Sequence, residues 1–210
     1  MSRDAARSIE RWAILGGAAL LFAVEAVVSL AGRSGAADVD DGLRALVRVT
    51  ARTSATWFTL AFVARPLTTL RVARPGKWLL RNRRYLGLAM AISHFGHLLA
   101  IAAVARHEGS VFWDKLATTT LVGGGFGYVI LVAMVATSWD GAQTRLGRSR
   151  WRALHLTGMW TFWVIFTFSY APVVHRSAVA AIATAVLVGA AAIRVLAATT
   201  GSSARTARRP

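Results

Sequence analysis

Long uncharged apolar stretches alternate along the chain with short clusters of charged residues. A helix needs roughly 20 apolar residues to cross a hydrocarbon core about 30 Å thick. Since lipid offers no partner for backbone N–H and C=O groups, apolar stretches of this length predict transmembrane α-helices. Six segments meet this length or come close to it: Trp12–Leu30, Thr53–Leu70, Tyr85–Ala105, Thr118–Ser138, Arg152–Ala171 and Ser177–Ala198.

The pattern predicts an all-α polytopic membrane protein, a six-transmembrane-helix bundle over residues 1–200. The second segment carries Arg65 and Pro66, and the proline is tolerated because the helix is about to end there. The longest linker, residues 32–52, is expected to be a loop with an amphipathic turn around Leu43–Val49. The tail, residues 201–210, is small, polar and basic, which predicts disorder.

The basic residues indicate how the six segments are oriented. With the N-terminus inside, the inner segments hold sixteen lysine and arginine residues and the outer loops hold seven. Cytoplasmic loops carry the excess of basic residues in membrane proteins, so both termini are predicted to be cytoplasmic. Tryptophans near the segment ends agree, because tryptophan favours the membrane interface: Trp12, Trp78, Trp113, Trp139 and Trp151.

Composition narrows the classes of function. The chain is 55% apolar, has a formal net charge of +16 and contains no cysteine. Its basic residues separate apolar segments instead of covering one folded face, which argues against a nucleic-acid partner. The lack of cysteine excludes disulfides, iron–sulfur clusters and covalent c-type haem. Arginines precede the first segment as in a signal peptide, but its length and the spans that follow favour an uncleaved helix.

Three of the five histidines, His94, His97 and His155, lie inside predicted spans. Ionisable groups in a bilayer are costly and mark candidate functional sites, and histidines from neighbouring helices can be axial ligands of haem iron. The i, i+3 spacing places His94 and His97 on one helix face. The alternative is that these histidines only form hydrogen bonds between helices. His107 and His175 are expected to be solvated at outer span ends.

Small and charged residues inside the spans suggest further contacts. Gly96 and Gly158, near the histidines, are expected to leave space for a flat macrocycle or a packed helix. The glycine-rich run 123–127 is expected to serve close helix packing. Glu25, Arg65 and Arg194 are expected to form interhelical salt bridges or to reach the interface. The functional alternatives are a proton or quinone site at Glu25 and a haem propionate contact at Arg65.

Four short pieces of the sequence resemble the ferric reductase-like transmembrane family, especially its bacterial haem-binding branch related to the MsrQ/YedZ membrane subunit. Their order and spacing across the predicted spans make the resemblance more specific than any piece alone. It covers about residues 53–171. The pieces are Ala64-Arg65-Pro66-Leu67, then Arg83-Arg84-Tyr85-Leu86-Gly87-Leu88 followed by His97, then Thr137-Ser138, and finally Leu146-Gly147 with Trp151 and Leu154-His155.

The resemblance implies a cytochrome b of the bacterial cell inner membrane. It implies a non-covalent haem b ligated by histidines of the third and fifth spans, and His97 and His155 occupy the matching positions. It also implies one-electron transfer, of ferric reductase type, from an inner donor to a periplasmic acceptor. The chain has no nucleotide-binding motif of its own. Its electrons would therefore come from a flavoprotein partner or from quinol in the lipid bilayer.

The chain departs from the family pattern at one position. The family usually has another histidine about thirteen residues after the one at His155, and this chain has Phe168 there. At a rise of 1.5 Å per residue, the predicted depths of His97 and His155 differ by about 13 Å, and those of His94 and His155 by about 9 Å. We therefore hypothesise that His94 moves the third-span ligand inward and partly compensates for the missing histidine.

Two other functions stay open at the level of sequence. The first is a haem-free structural or assembly subunit of the same fold, which Phe168 favours. The second is a small membrane transporter, whose substrate pathway would use Glu25, Arg65 and Arg194. Neither alternative predicts haem absorbance, and only the transporter predicts that Glu25→Gln abolishes a solute flux.

Overall fold

The computed structural model describes residues 3–33 and 35–206 and is helical throughout. Helices account for 91% of the described residues, which include no strand. A 3₁₀ turn, Ala171–Val173, separates the last two helices. Over residues 3–33 and 35–206 there are eight α-helices: α1 Arg3–Leu30, α2 Ala36–Thr69, α3 Ala73–Glu108, α4 Ser110–Lys115, α5 Thr118–Ala136, α6 Asp140–Leu146, α7 Arg148–Tyr170 and α8 Ala178–Thr206.

Each predicted span coincides with or lies largely within one long helix, so the prediction of an all-α protein is confirmed. Among the described residues, four helices are long and apolar enough to cross a membrane, at Asp4–Leu30, Arg74–Glu108, Thr118–Ala136 and Ala178–Thr200. The helices α2 and α7 hold the other two predicted spans. Threonines, Arg65 and Pro66 lower the hydropathy of α2, and tryptophans and His155 lower that of α7.

Large apolar side chains remain exposed along the apolar helices. Val28 of α1 is 72% exposed, Val129 of α5 is 67% exposed and Ile182 of α8 is 65% exposed. A soluble protein rarely leaves contiguous apolar surface of this kind uncovered. Lipid is the solvent that such faces require, which places the protein in a membrane.

The loop expected over residues 32–52 was a wrong prediction. The helix α2 begins at Ala36 and continues without interruption through the amphipathic stretch into the second predicted span. Charged residues made this stretch resemble a linker, but it contains no proline before Pro66 and its apolar positions Leu43 and Leu46 are buried. Likewise α3 begins at Ala73, twelve residues before the predicted span starts at Tyr85.

The prediction of a disordered tail also differs from the structure. The helix α8 continues to Thr206. Alanine and arginine favour helix, and one glycine inside a helix costs only about 1 kcal/mol relative to alanine, so Gly201 does not end it. The remaining tail, residues 207–210, lies outside the described residues.

The chain forms two compact units. The first comprises Met1–Phe58 with Tyr85–Val122, and the second comprises Thr59–Arg84 with Gly123–Pro210. In the first unit, α1 packs directly on α3. The contact is so close that a Cβ atom added to Gly96 would lie only 2.5 Å from the Phe22 ring. In the second unit, α7 packs on α5 where Gly158 faces Met134, and on α8 where Trp163 Nε1 donates to the Leu187 carbonyl at 2.9 Å.

Candidate functional site

The imidazole of His97 is anchored on α3 by contacts with α2, within the first unit. Its Nδ1 lies 3.0 Å from the carbonyl oxygen of Val47 and 3.1 Å from Thr50 Oγ1. The Thr50 hydroxyl donates its own proton to the Leu46 carbonyl at 2.7 Å, so its oxygen accepts from the ring. Both contacts assign the ring proton to Nδ1 and leave the Nε2 lone pair available. Metal-ligating histidines typically donate their other ring N–H to a partner of this kind.

His94 lies one turn before His97 and stacks on it. The ring centroids are 5.5 Å apart, the rings are inclined by 27°, and His94 is 7% exposed. Two stacked rings on one helix do not place nitrogen atoms on opposite sides of a single iron. The pair can therefore supply one axial ligand of a haem, and a second ligand must come from another helix.

His155 of α7 is held by the end of α5, within the second unit. Its Nε2 lies 3.1 Å from Thr137 Oγ1, whose hydroxyl donates to the Ala133 carbonyl at 2.7 Å. The ring also stacks on Trp151, with centroids 4.3 Å apart, and Trp151 Nε1 donates to the Thr137 carbonyl at 2.8 Å. The Nε2–H of His155 thus donates to Thr137 Oγ1, and this hydrogen bond would have to break before Nε2 could ligate a metal.

These contacts explain two of the sequence pieces that resemble the ferric reductase-like family. Thr137 belongs to one piece, and Trp151 and His155 belong to another. The two pieces are separated in sequence but meet in the structure through the Thr137 hydroxyl and carbonyl. Their shared role is to fix the orientation of the His155 imidazole.

The residues fit histidine ligation of a macrocycle better than direct metal binding. Over the described residues, no cluster of three or more His, Cys, Asp or Glu side chains could hold a metal ion. A haem iron already has four porphyrin nitrogens and needs only axial ligands from the protein. Over the described residues, the Nδ1 of His97 has hydrogen-bond partners and its Nε2 has none, so Nε2 is the atom of this ring that would serve as an axial ligand.

The space expected beside Gly96 and Gly158 is occupied by side chains of neighbouring helices. The Phe22 ring occupies the space at Gly96, and Met134 occupies the space at Gly158. Both glycines thus serve helix packing, and a macrocycle does not fit against them. Of the glycine-rich run 123–127, only Gly127 has a close neighbour among the described atoms, with Ile165 2.7 Å from its added Cβ.

Arg194 occupies a hydrogen-bonding position that Pro66 creates. In a helix, the carbonyl of residue 62 would accept from the N–H of residue 66, and proline has no N–H. Arg194 of α8 donates to the Phe62 carbonyl at 3.0 Å instead. Its guanidinium also lies 4.4 Å from the centroid of the Phe62 ring and 5.6 Å from that of Trp160. The expected salt bridge at Arg194 is thus replaced by a carbonyl and two aromatic rings.

Glu25 of α1 is buried against α2 in the first unit. It is 7% exposed, and its Oε1 accepts a hydrogen bond from the Thr53 hydroxyl. Its Oε2 is buried and has no hydrogen-bond partner among the described residues. A hydroxyl partner thus takes the place of the expected salt bridge.

A separate ion-pair cluster joins the start of α2 to the end of α3. Arg44 bonds to Asp40 at 2.9 Å and to Glu108 at 2.5 Å. The hydrogen bond from Arg44 holds the pKa of the Asp40 carboxyl below its ordinary value of 3.8, and the same bond raises the pKa of Arg44. His107 and His175 are exposed, as expected for solvated residues.

The residues that the sequence did not single out are the partners that α2 supplies to His97 and to Arg194. Val47 and Phe62 bond through backbone carbonyls, which every helix carries, so their residue types give no signal. Thr50 bonds through its hydroxyl, and the sequence does not indicate that this hydroxyl lies beside His97. Pro66 did give a signal, because it leaves the carbonyl four residues earlier without its helical donor. Only the packing of α8 identifies Arg194 as the replacement.

The long apolar helices, with one buried and two half-buried imidazoles, define a polytopic helical membrane protein with candidate haem ligands. A family model described as "Ferric reductase like transmembrane component" matches residues 50–166, which is more than half of the chain. The chain therefore belongs to the ferric reductase-like transmembrane family, as its sequence pieces predicted. Searches of curated proteins and of solved structures returned no match. The matched region contains Thr50, His97 and His155, and it excludes α1 and α8.

Proposed function

We propose that the chain is a membrane subunit that transfers single electrons across the bilayer by way of a non-covalent haem b. Its family suggests a membrane electron-transfer component. The observation that carries the proposal is the anchored His97 ring, whose Nδ1 bonds to Val47 and Thr50 and whose Nε2 is available. When bound, a b-type haem supplies reversible one-electron chemistry, with a potential set by its axial ligands and surroundings.

His97 is the proposed third-span ligand, and His155 is the sequence-based candidate for the second ligand. The protein's part is to fix ring orientation and tautomer. Val47 and Thr50 hold the His97 ring, and Thr137 and Trp151 hold the His155 ring. Such fixed partners raise the basicity of a ligand and limit its reorganisation.

The proposed topology has six spans with both termini in the cytoplasm of a bacterial cell. This topology places the helix α6 and the basic segments 71–84 and 145–152 on the inner side. A flavoprotein with an acidic docking surface would be attracted to these segments, and quinol from the bilayer is the other possible donor. The acceptor would bind at the periplasmic side.

Electron transfer across reconstituted vesicles tests this function. Haem-loaded protein is placed in liposomes that contain ferricyanide, and dithionite is added outside. Neither reagent crosses the bilayer, so reduction of the trapped ferricyanide measures transfer through the protein. We expect His97→Ala to reduce the rate to that of protein-free liposomes, whereas the exposed control His175→Ala keeps the wild-type rate. A wild-type rate no faster than that of empty liposomes would refute the proposal.

A further inference from the structure

Where Arg194 bonds to the Phe62 carbonyl, one turn before Arg65 on α2, three arginines from different helices of the second unit lie within electrostatic range of one another. They are Arg65 of α2, Arg83 of α3 and Arg194 of α8. Each is close enough to the others to interact electrostatically, and all three interactions are repulsive. Arg83 also lies within electrostatic range of the His155 ring of α7. Like charges gathered in a partly buried position raise the free energy of the fold unless an anion offsets them.

The second unit provides no carboxylate to neutralise this arginine cluster. Its segments, Thr59–Arg84 and Gly123–Pro210, contain a single acidic residue, Asp140. Asp140 is bound to Arg84 at 3.1 Å and is thus already paired. The remaining charged side chains of the unit are lysines and arginines. An anion for the cluster must therefore come from outside the unit.

The cluster is held in place on one side and accessible on another. Arg194 is fixed by the Phe62 carbonyl at 3.0 Å and by the Phe62 and Trp160 rings. Arg65 is exposed. Between Arg65 and Arg83 along the chain, Val72 and Leu80 expose 39% and 42% of their apolar side chains. A ligand for this cluster would thus combine an anionic group with apolar material.

The position of the cluster along the spans indicates the source of the anion. Arg65 lies near the end of the second predicted span, Arg83 just before the third, and Arg194 near the end of the sixth. In the proposed topology all three positions belong to the inner interface, where phospholipid headgroups lie. Basic pockets on the cytoplasmic side of membrane proteins bind such headgroups.

We propose that Arg65, Arg83 and Arg194 bind the phosphate headgroup of an anionic phospholipid of the inner leaflet. Guanidinium groups bind phosphate through paired, charge-assisted hydrogen bonds. Three positive charges match a headgroup with two phosphates, such as that of cardiolipin, better than one with a single phosphate. The acyl chains would cover the exposed apolar side chains beside the cluster. This site rests on the proposed six-span topology and does not depend on the haem proposal.

Lipid binding to the full-length protein tests the assignment. The purified protein is exchanged into nanodiscs of phosphatidylcholine alone, with phosphatidylglycerol, or with cardiolipin at equal total charge, and retained lipid is counted by native mass spectrometry. The variants are Arg65→Gln, the double variant Arg65→Gln/Arg83→Gln, and a matched control, Arg145→Gln/Arg150→Gln, which removes two exposed inner arginines. Since Arg65 is exposed, its single variant is expected to fold. Thermal unfolding of every variant checks this.

We expect the wild type to retain cardiolipin, and the cluster double variant to retain it about tenfold less, while the control matches the wild type. Equal retention by the cluster and control variants would overturn the proposal. So would retention without preference for anionic lipid. Binding of soluble pyrophosphate in place of lipid would also overturn the lipid assignment. Haem-loaded and colourless samples are compared in parallel, because loss of the lipid on haem loading would assign the cluster to the haem propionates instead.

Discussion

At the scale of single residues, the structure shows which ring nitrogen of a histidine is engaged, and the sequence does not. His97 has its Nδ1 engaged by a carbonyl and a hydroxyl, whereas His155 has its Nε2 engaged by a hydroxyl. His94 stacks on His97 and shares its helix face. The anchored tautomer favours His97 as the third-span ligand. The hypothesis that His94 takes over this role stays a prediction from the sequence. It predicts that the haem spectrum is lost in His94→Ala, whereas an anchored His97 ligand predicts that it is lost in His97→Ala.

The Thr50→Val variant tests the anchoring of His97. Valine keeps the shape of threonine but removes the hydroxyl that accepts from Nδ1. Loss of such a partner typically weakens metal binding 10- to 100-fold. Because the Val47 carbonyl still holds the ring, we expect the affinity for haem to fall about tenfold. Titration of the haem-free protein with haem measures this affinity. The matched control is Thr56→Val, at an exposed position on the same helix, and equal affinities of both variants would contradict the anchoring role.

At the scale of helices, Pro66 and Arg194 act as a pair. Proline removes a hydrogen bond from α2, and a side chain of α8 restores it from outside the helix. This arrangement binds the sixth predicted span to the second. It also explains how an arginine can lie within an apolar helix without a carboxylate partner.

A double-mutant cycle measures this coupling. Arg194→Met removes a charged donor to a buried carbonyl, which should lower the free energy of unfolding by about 2 kcal/mol. Pro66→Ala returns an N–H donor to α2, so Arg194→Met should cost less in that background. The residual cost should be about 1 kcal/mol, from the lost contact with the aromatic rings. Denaturant unfolding in detergent gives the four values, and an equal cost of Arg194→Met in both backgrounds would show that the two residues act independently.

The ion pairs that join α2 to α3 predict that the stability of the folded protein decreases at acidic pH. Because the folded protein holds the pKa of Asp40 below 3.8, this residue contributes stability above its ordinary pKa. The contribution is lost as the pH falls through the lower pKa of the folded state. The melting temperature of the wild type should therefore fall more between pH 5 and about pH 2.5 than that of Asp40→Asn. Asp114→Asn, on α4, is the control, and parallel pH profiles of the wild type and Asp40→Asn would exclude the effect.

The sequence predicted the helices well and the contacts between them poorly, for a physical reason. Length and apolarity alone determine which segments can cross lipid, so every predicted span lies largely or wholly in a helix. The start of α2 was missed because a charged amphipathic segment resembles a loop until its partner helix is known. The pairing of Thr50 with His97 spans 47 residues. It depends on how α2 meets α3, and no local pattern records that.

At the scale of the whole molecule, the number of spans decides which segments lie on each side of the membrane. Six spans require α2 and α7 to cross the bilayer, although they are less apolar than the other long helices. If only the four apolar helices crossed, the segments around α4 and α6 would exchange sides. The location of these two segments therefore distinguishes the two topologies.

Single cysteines report this location directly, because the chain contains none of its own. We expect Ser110→Cys, in α4, to react with a membrane-impermeant maleimide from the periplasmic side, and Gln143→Cys, in α6, to react only after the membrane is opened. Ser177→Cys is the control, since it lies outside in both topologies. The reverse pattern at positions 110 and 143 would establish four spans.

The haem absorbance of the purified protein and its histidine variants tests the central claim most directly. We predict that the wild type, His94→Ala and the control His175→Ala give the reduced-minus-oxidised difference spectrum of a b-type haem, and that His97→Ala does not. Loss of the spectrum in His94→Ala with its retention in His97→Ala would reassign the ligand to His94. A wild-type protein that stays colourless after expression with ample haem precursor would contradict the account.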